Sequence, residues 1–251
     1  MSQEKRIELI KQLLEERQEL STKDIMQEFG ISQDTARRDI VLLAKRGEVR
    51  RTHGGILPLD FGRSVPNFQS RLARFTKQKT QIALAAATYF KPHHVYFVDS
   101  STILLKTCQN INMPLTIVTH SLDNCMALAE HNKVRVKVLS GTLNHENRYF
   151  YSNLAIEELQ NVVFDTAFIA ASGIDENGAY LLDQDDAQIV GMAVKRARKV
   201  ILVAEHQKFV NKSYYRICPL DKISLFITDQ APTPEQRAMF APETKIIVTK
   251  E

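Results

Sequence analysis

The stretch SQDTARRDIVLLAKRGEVRRTHGG, residues 32–55, decides how the N-terminal part of the chain is interpreted. It places six basic residues among three acidic ones and ends in two adjacent glycines. Wound at about 100° per residue, positions 33–46 place Ala36, Ile40 and Leu43 on one side and polar residues on the other. Ser32 precedes this pattern as a suitable N-cap. The pattern predicts a helix that packs its apolar side inward and exposes polar groups along its first half.

Two more helices are predicted before this one. Apolar residues at positions 7, 10, 13 and 14 form one stripe of a helix over residues 5–16. Ser21 begins the next helix, and Asp24 follows it at the spacing of a capping box. Gly30 permits a tight turn before the third helix. Two helices joined by a short glycine turn, the second with polar residues exposed at its start, form a helix-turn-helix arrangement.

A short strand and a glycine turn follow the third helix. After Gly47, residues 48–53 alternate as a strand does, and Gly54-Gly55 marks a turn. An arginine-bearing hairpin beside a recognition helix is a wing suited to phosphate contacts. Basic residues on an isolated helix are most often only a solvated face. The order of cap, turn, helix and wing instead favours duplex DNA as the partner.

The predicted DNA contacts fall into two groups. A helix of this size fits the major groove, where Arg bonds guanine in bidentate fashion, so base contacts are expected near the helix start. These residues are Thr35, Arg37 and Arg38, with Ser32, Gln33 and Asp34 as further candidates. Phosphate contacts are expected from Lys45, Arg50, Arg51 and His53.

Asp39 stands among these cations but falls near the core side of the helix. We expect it to hold an arginine in a charge-assisted pair, with Arg51 of the wing as the candidate. A solvated aspartate is the alternative.

The N-terminal segment closely resembles the DeoR family of bacterial transcriptional regulators. The family pattern begins with an arginine and two apolar residues at intervals of four. It continues through a small residue, Thr, a small or aliphatic residue, Arg, a variable residue, Asp and an aliphatic residue. The matching residues are Arg6, Ile10, Leu14, Ser32, Thr35, Ala36, Arg37, Arg38, Asp39 and Ile40, together with the run RTHGG at 51–55.

Composition narrows the class of protein. The 251 residues, 44% of them hydrophobic, have room for a small and a medium-sized domain. No apolar window of about 18 residues exists, and the N-terminus lacks the apolar core of a secretory signal. The three cysteines show neither metal nor disulfide spacing. We therefore expect a cytoplasmic protein without a membrane span, a metal or a cofactor.

The remaining chain predicts a linker and a second domain. Residues 58–79 hold five basic groups and one acidic group and lack a sustained period, so we interpret them as an interdomain linker. From residue 80, strands alternate with helices, which predicts a mostly parallel sheet covered on both faces. The expected fold is therefore multidomain. A small, mainly α winged helix-turn-helix domain at 1–57 precedes a larger α/β domain at 80–251.

Polar residues follow several of the predicted strands. The segments are Asp99-Ser100-Ser101-Thr102, Thr119-His120-Ser121, Gly173-Ile174-Asp175 and, after another strand, Lys208. In parallel sheets, ligands bind outside the carboxyl ends of the strands. Hydroxyls and backbone N–H groups there can hold a phosphate, and a lysine can complete the charge balance. Each Ser or Asp is individually more typical of a helix cap, so their convergence is what favours a site.

The resemblance extends over nearly the whole chain. It implies a sensor domain that is similar in fold to ribose-5-phosphate isomerase and binds phosphorylated sugars. The positions it assigns to the effector are Asp99, Ser100, Ser101, Thr102, Thr119, His120, Ser121, Gly141, Gly173, Asp175 and Lys208. Departures from the family pattern include Ser101 for Gly, His120 for Asn and Tyr151 for Gly. They imply a sugar phosphate different from the usual ones, or a loss of effector binding as the alternative.

The expected function is that of a DNA-binding transcriptional regulator, a repressor of a sugar or nucleoside catabolic operon. Its expected partners are a double-stranded operator, a phosphorylated sugar that relieves repression, and copies of itself in a dimer or tetramer. Two alternatives stay open. One is a sugar-phosphate isomerase, with Asp99, Asp183 or Asp186 as base. The other is an architectural DNA-binding protein without effector response.

Overall fold

The computed structural model describes residues 2–17, 19–52, 54–58, 67–73 and 75–249. The chain divides into two compact units, residues 1–64 and 65–251. The limits predicted for the two domains and the linker stay predictions. Part of the predicted linker is helical in the second unit, at 68–73 and from residue 77 onward.

The N-terminal unit combines three helices with a small antiparallel sheet of order β1-β3-β2. Its elements are α1 (Gln3–Arg17), β1 (Leu20–Ser21), α2 (Thr22–Phe29), α3 (Gln33–Lys45), β2 (Val49–Arg51) and β3 (Gly55–Pro58). The capping box of Ser21 and Asp24 is present, and Gly30 ends α2 in the left-handed region at φ 60°. Ser32 caps α3 by accepting a hydrogen bond from the backbone N–H of Thr35. These contacts confirm the predicted helix-turn-helix.

The wing closes against the start of α2. β2 and β3 form the predicted hairpin, and β3 also pairs with the unpredicted strand β1. A side chain at Gly55 would collide with the carbonyl oxygen of Leu20, so only glycine allows this approach. The helices and strands share one apolar core. Its buried members are Ile7, Ile10, Leu14, Leu20, Ile25, Ala36, Ile40, Leu43, Val49 and Ile56.

Asp39 lies on the core side of α3, and the expectation that it pairs with Arg51 is wrong. The Asp39 carboxylate is fully buried and accepts hydrogen bonds from Arg6 Nε at 2.6 Å and Arg6 Nη2 at 3.2 Å. Gln3 Nε2 adds a third donor at 2.9 Å. The solvated alternative is wrong for the same reason. Arg6 is the partner because α1 crosses the inner side of α3, whereas Arg51 of the wing is exposed.

We expect Arg6→Ala to destabilise the N-terminal unit by about 3–5 kcal/mol, because it leaves the Asp39 charge buried without compensation. Native-state hydrogen exchange of the amides in α1 and α3 measures this change. Arg17→Ala is the matched control on the same helix. Arg17 pairs with Glu28 on the surface, so its loss should cost less than about 1 kcal/mol. Equal effects of the two substitutions would contradict the assigned role of the buried pair.

The second unit is built on a seven-stranded sheet of order β15-β14-β12-β9-β4-β5-β6, in which all neighbouring strands are parallel. In chain order its strands are β4 (Val95–Val98), β5 (Leu115–Thr119), β6 (Val134–Val138), β9 (Thr166–Ala170), β12 (Val200–Val203), β14 (Leu225–Thr228) and β15 (Lys245–Val248).

The helices are α4 (Phe68–Ala73), α5 (Lys77–Ala87), α6 (Thr102–Cys108), α7 (Leu122–Ala129), α8 (Asn153–Gln160), α9 (Gln184–Lys195) and α10 (Pro234–Ala238). Two smaller antiparallel sheets consist of β7 (Thr142–Asn144) with β8 (Tyr149–Tyr151), and of β10 (Gly173–Asp175), β11 (Gly178–Leu181) and β13 (Tyr215–Cys218).

Both faces of the large sheet are buried. Phe97 and Leu202 face one apolar cluster, with residues of α8 and α9. The neighbouring Tyr96 and Val203 face the other, with residues of α5 and α6. This alternation over two covered faces explains why the strands are nearly continuous apolar runs. It confirms the predicted α/β class.

Within the described residues, every helix is too short or too polar to cross a membrane.

Candidate functional site

The exposed side of α3 carries most of the predicted DNA contacts. Arg37 and Arg38 are exposed, whereas Ala36 and Asp39 on either side of them are buried. The other exposed residues of the predicted set are Ser32, Gln33, Asp34, Lys45 and Arg51, while Thr35 is half-buried. Arg50 is placed only by its backbone in β2, and His53 lies outside the described residues.

The exposed cations of this surface differ from the other arginines of the unit. Arg6, Arg17 and Arg46 are held by Asp39, Glu28 and Glu4 respectively. Within the described part of the chain, the side chains of Arg37, Arg38, Lys45 and Arg51 make no ion pair and no hydrogen bond to another side chain. Their charges therefore stay open to an external polyanion.

Several of the predicted effector residues lie where the strand order reverses. β4 stands between β5, its successor in the chain, and β9, and ligands of open α/β sheets bind outside the carboxyl ends of the strands at such a point. Asp99 follows β4 and is fully buried there. Its Oδ2 accepts from the Ala170 N–H at the end of β9 at 3.0 Å, and its Oδ1 accepts from the Ser100 N–H at 2.5 Å. The carboxylate thus connects the ends of β4 and β9.

A buried histidine links two carboxylates at this point. His120 Nε2 lies 2.7 Å from Asp186 Oδ1 and 3.7 Å from Asp99 Oδ1. The rings of Phe97 and Tyr149 pack against the imidazole, with centroids 5.7 and 5.5 Å away. Asp99, His120 and Asp186 each offer one atom of the kind that can bind a metal ion, and these three atoms lie within 4.8 Å of one another. His120 Nε2 makes a short hydrogen bond to the Asp186 carboxylate, whereas Asp99 lies beyond hydrogen-bond distance.

Burial and the nearby charge shift the titration of this cluster. Burial and the charge of Asp186 raise the pKa of Asp99 to about 7, although His120 and two backbone N–H groups oppose the shift. Burial by itself would lower the pKa of His120. The hydrogen bond to Asp186 and the charges of Asp186 and Asp99 outweigh burial and raise that pKa above its ordinary value.

Several predicted hydroxyls are used inside the protein. Ser101 caps α6 by accepting from the Leu104 N–H, and Ser121 caps α7 by accepting from the Asn124 N–H. Thr119 Oγ1 donates to the Val98 carbonyl at 2.7 Å. The helix-cap interpretation therefore describes Ser101 and Ser121 in this structure. Ser100 and Thr102 are buried beside Asp99.

The remaining predicted positions hold turns and close contacts. Gly141, at φ 145°, lies against the Tyr151 carbonyl, and Gly173 lies against the Asn211 carbonyl. Asp175 Oδ1 accepts from the N–H groups of residues 177 and 178 in the β10–β11 turn. In the described residues, no hydrogen bond or ion pair joins Asp175 to Asp99, His120 or Asp186.

A second, cationic group lies beside this cluster. Lys208 lies on a short 3₁₀ helix after β12, within range of the charges of Lys79 in α5 and Arg71 in α4. Burial is the main cause that lowers the pKa of Lys208 to about 8; Glu205 opposes the shift, and the charges of Arg71 and Lys79 add to it. Lys79 Nζ lies 3.8 Å from Glu205 Oε2. Sequence reasoning missed Arg71 and Lys79 as site residues, because both fall in the stretch interpreted as a linker.

A winged helix-turn-helix unit with unpaired cations, followed in the sequence by an α/β unit with a buried polar cluster at its switch point, is the architecture of a transcriptional regulator. The family model of the DeoR C-terminal sensor domain matches residues 74–230, and that of the DeoR-like helix-turn-helix domain matches residues 6–60. The chain belongs to the DeoR family.

Two similar proteins are named as regulators of transcription. The transcriptional repressor GlcR of Bacillus subtilis (strain 168) is 29% identical over 233 residues, 92% of this chain and 90% of that protein. The L-fucose operon activator of Haemophilus influenzae is 28% identical over 228 residues, 90% of this chain and 92% of that protein. Among solved structures, a ribose 5-phosphate isomerase from Methanocaldococcus jannaschii matches with a TM-score of 0.39 and 14% identity over 53% of this chain and 54% of that chain.

We expect the stability of the sensor unit to fall as the pH rises from about 5 to about 8. Asp99 and His120 both have raised pKa values in the folded state, so the folded state binds more protons than the unfolded chain there. Their contribution is complete below the unfolded pKa values and is lost as the pH passes the folded ones. The loss should be on the order of a few kcal/mol. Urea unfolding followed by tyrosine fluorescence across this range measures it, because all seven tyrosines lie in this unit.

Asp99→Asn separates this effect from ordinary surface titration. The amide cannot titrate, so the variant should lose much of the pH dependence. Asp221→Asn removes an exposed carboxylate and should keep the wild-type profile. A wild-type stability that is constant or rises over this range would contradict the assigned protonation.

Proposed function

We propose that this chain represses transcription of a sugar or nucleoside catabolic operon by binding a double-stranded operator, and that a phosphorylated sugar relieves the repression. The observation that carries the proposal is that one chain combines exposed, unpaired cations on α3 with a buried polar cluster after β4 and β5. The name of the relative GlcR, a transcriptional repressor, supports the direction of regulation. We place the protein in the cytoplasm, where its DNA partner is accessible.

The proposed DNA contacts follow from the exposure pattern of α3. Buried Ala36 and Ile40 hold the helix on its own unit, and the exposed Arg37 and Arg38 face away from that core. In a major groove their guanidinium groups would reach base edges. Lys45 and Arg51 would contact phosphates and add a salt-dependent, sequence-independent term.

The proposed effector site uses the crevice at β4 and β9. Asp99 would accept hydrogen bonds from sugar hydroxyls, and the neighbouring Ser100 would accept from them or donate to them. Lys208 would contact the phosphate. To relieve repression, the effector must prefer the arrangement that does not bind DNA, typically by about 1–3 kcal/mol.

We also propose a homo-oligomer, a dimer or tetramer. Two recognition helices about 34 Å apart would read half-sites one turn of DNA apart. Enzymatic turnover is not part of the proposal, because the relatives named above are regulators of transcription.

Arg37→Ala or Arg38→Ala should weaken operator binding by about 1–3 kcal/mol if the replaced arginine contacts a base. The DNA is an operator selected from random duplexes by the wild-type protein, and binding is measured by fluorescence anisotropy at fixed salt. Lys245→Ala, which removes an exposed cation of the sensor unit, is the control. Wild-type affinity in both arginine variants would exclude this placement of the recognition helix.

Lys208→Ala should weaken effector-induced release from the operator and leave operator affinity unchanged. Titration of the DNA complex with a panel of sugar phosphates measures the release. Lys212→Ala is the control, because Lys212 is exposed and close in sequence. Full release from the Lys208 variant would contradict its assigned role.

The same panel tests the whole proposal. Release of the operator by one sugar phosphate supports it. Isomerisation of ribose 5-phosphate would favour the isomerase alternative. Sequence-indifferent DNA binding that no sugar phosphate changes would favour the architectural one.

A further inference from the structure

The tip of the wing is held by the first residue of α2. Thr22 donates two hydrogen bonds to the carbonyl oxygen of Gly54, one from its backbone N–H at 2.8 Å and one from its Oγ1 hydroxyl at 3.0 Å. The first N–H groups of a helix have no partner within the helix, so the wing supplies the acceptor that this N–H needs. The hydroxyl adds a side-chain contact between two positions that are 32 residues apart in the chain.

The turn at the tip of the wing is closed by hydrogen bonds of its own. The Thr52 N–H donates to the Gly55 carbonyl at 3.0 Å, and Thr52 Oγ1 accepts from the Gly55 N–H at 3.0 Å. Gly55 also pairs with Ser21 across β3 and β1. The turn is therefore rigid in itself, and the Thr22 hydroxyl is the side-chain contact that joins it to α2.

The base of the wing is held by the core. Val49 of β2 is buried in the same apolar cluster as Leu43 of α3, so this end of the hairpin is fixed on the recognition helix. Arg51 lies between the base and the tip, next to Thr52, and it is exposed and unpaired within the described part of the chain. Loss of the Thr22 hydroxyl should therefore loosen the tip, and Arg51 with it, while α3 stays in place.

We propose that Thr22 is a positioning residue for DNA binding, which holds the wing so that Arg51 meets a phosphate of the duplex. The inference rests on the proposed function, which assigns Arg51 to phosphates, and it adds the residue on which that contact depends. A wing that is already held in one orientation loses little conformational entropy when it binds. Because phosphate contacts carry no sequence information directly, Thr22 governs the salt-dependent part of the affinity and not the choice of bases.

Thr22→Val replaces the hydroxyl with a methyl group and keeps the backbone N–H. Affinities for the selected operator and for random-sequence duplexes are measured by fluorescence anisotropy at several salt concentrations. Loss of one phosphate contact should make the slope of log affinity against log salt concentration shallower by about 1. The ratio of operator affinity to random-duplex affinity should stay at the wild-type value. Thr22→Ser keeps a hydroxyl and should restore the wild-type slope.

Thr88→Val is the matched control. Thr88 is exposed, and its Oγ1 donates to the Ala85 carbonyl at 2.7 Å. The substitution therefore removes the same kind of hydrogen bond at the end of a helix in the second unit, and the variant should bind DNA like the wild type.

A double-mutant cycle tests whether Thr22 acts through Arg51. Arg51→Gln by itself should make the salt slope shallower by about 1. In the Thr22→Val protein the same substitution should change the slope little, because the contact is already lost. Additive effects of the two substitutions overturn the inference.

The salt slope also separates positioning from a loss of stability. A smaller folded fraction lowers the affinity by the same factor at every salt concentration, so it leaves the slope unchanged. A wild-type slope in Thr22→Val therefore overturns the inference even if the affinity falls. A changed ratio of operator to random-duplex affinity overturns it as well, because Thr22 would then act on base contacts.

The two proposals fail separately. If the wild type selects no operator, but Thr22→Val has a shallower slope on random duplexes, the positioning role stands and the proposed function is wrong. If an operator is selected and a sugar phosphate releases it, while Thr22→Val keeps the wild-type slope, the function stands and the positioning role is wrong. A wild type that binds no duplex overturns both.

Discussion

Both units depend on how a buried carboxylate is compensated. An ion transferred from water into a protein interior loses several kcal/mol of solvation, so it persists only where partners replace the water. In the N-terminal unit, Arg6 and Gln3 satisfy Asp39 completely from α1. In the sensor, Asp99 is equally buried, but its partners are two backbone N–H groups and a histidine that Asp186 also holds. Asp39 therefore has a structural role. Asp99 retains a protonation equilibrium at the carboxyl ends of β4 and β9.

The pairing of Asp39 also decides which cations of the N-terminal unit stay unpaired. Because Arg6 reaches it from the inner side of α3, neither the wing nor the exposed side of the helix has to supply an arginine. Arg37 and Arg38 therefore stay exposed to solvent. The helix that carries them is held in place because its opposite side packs into the core. A rigid helix that presents unpaired guanidinium groups loses little conformational entropy when it binds a polyanion. The exposed cations of α3 thus depend on a buried contact on the opposite side of the helix.

The sequence predicts a helix or strand well where apolar residues recur at a regular spacing over several residues. It predicts poorly where the position of a residue depends on partners far away in the chain. The third helix, predicted over 33–46, runs over Gln33–Lys45, and the strands of the large sheet were found as apolar runs. The antiparallel β7–β8 and β10–β11–β13 were not predicted, because three or four residues show too little alternation. Polar residues after β4 and β5 were recognisable since parallel strands end at one edge. Arg71 was not, because its burial depends on Asn147, which is 76 residues away in the chain.

The departure at His120 from the pattern the chain resembles changes the charge of the crevice more than its shape. An asparagine at this position, which the family pattern has, is neutral at every pH, whereas an imidazole can carry a proton in the physiological range. The rings of Phe97 and Tyr149 enclose it, so the two neighbouring carboxylates must stabilise that proton in place of water.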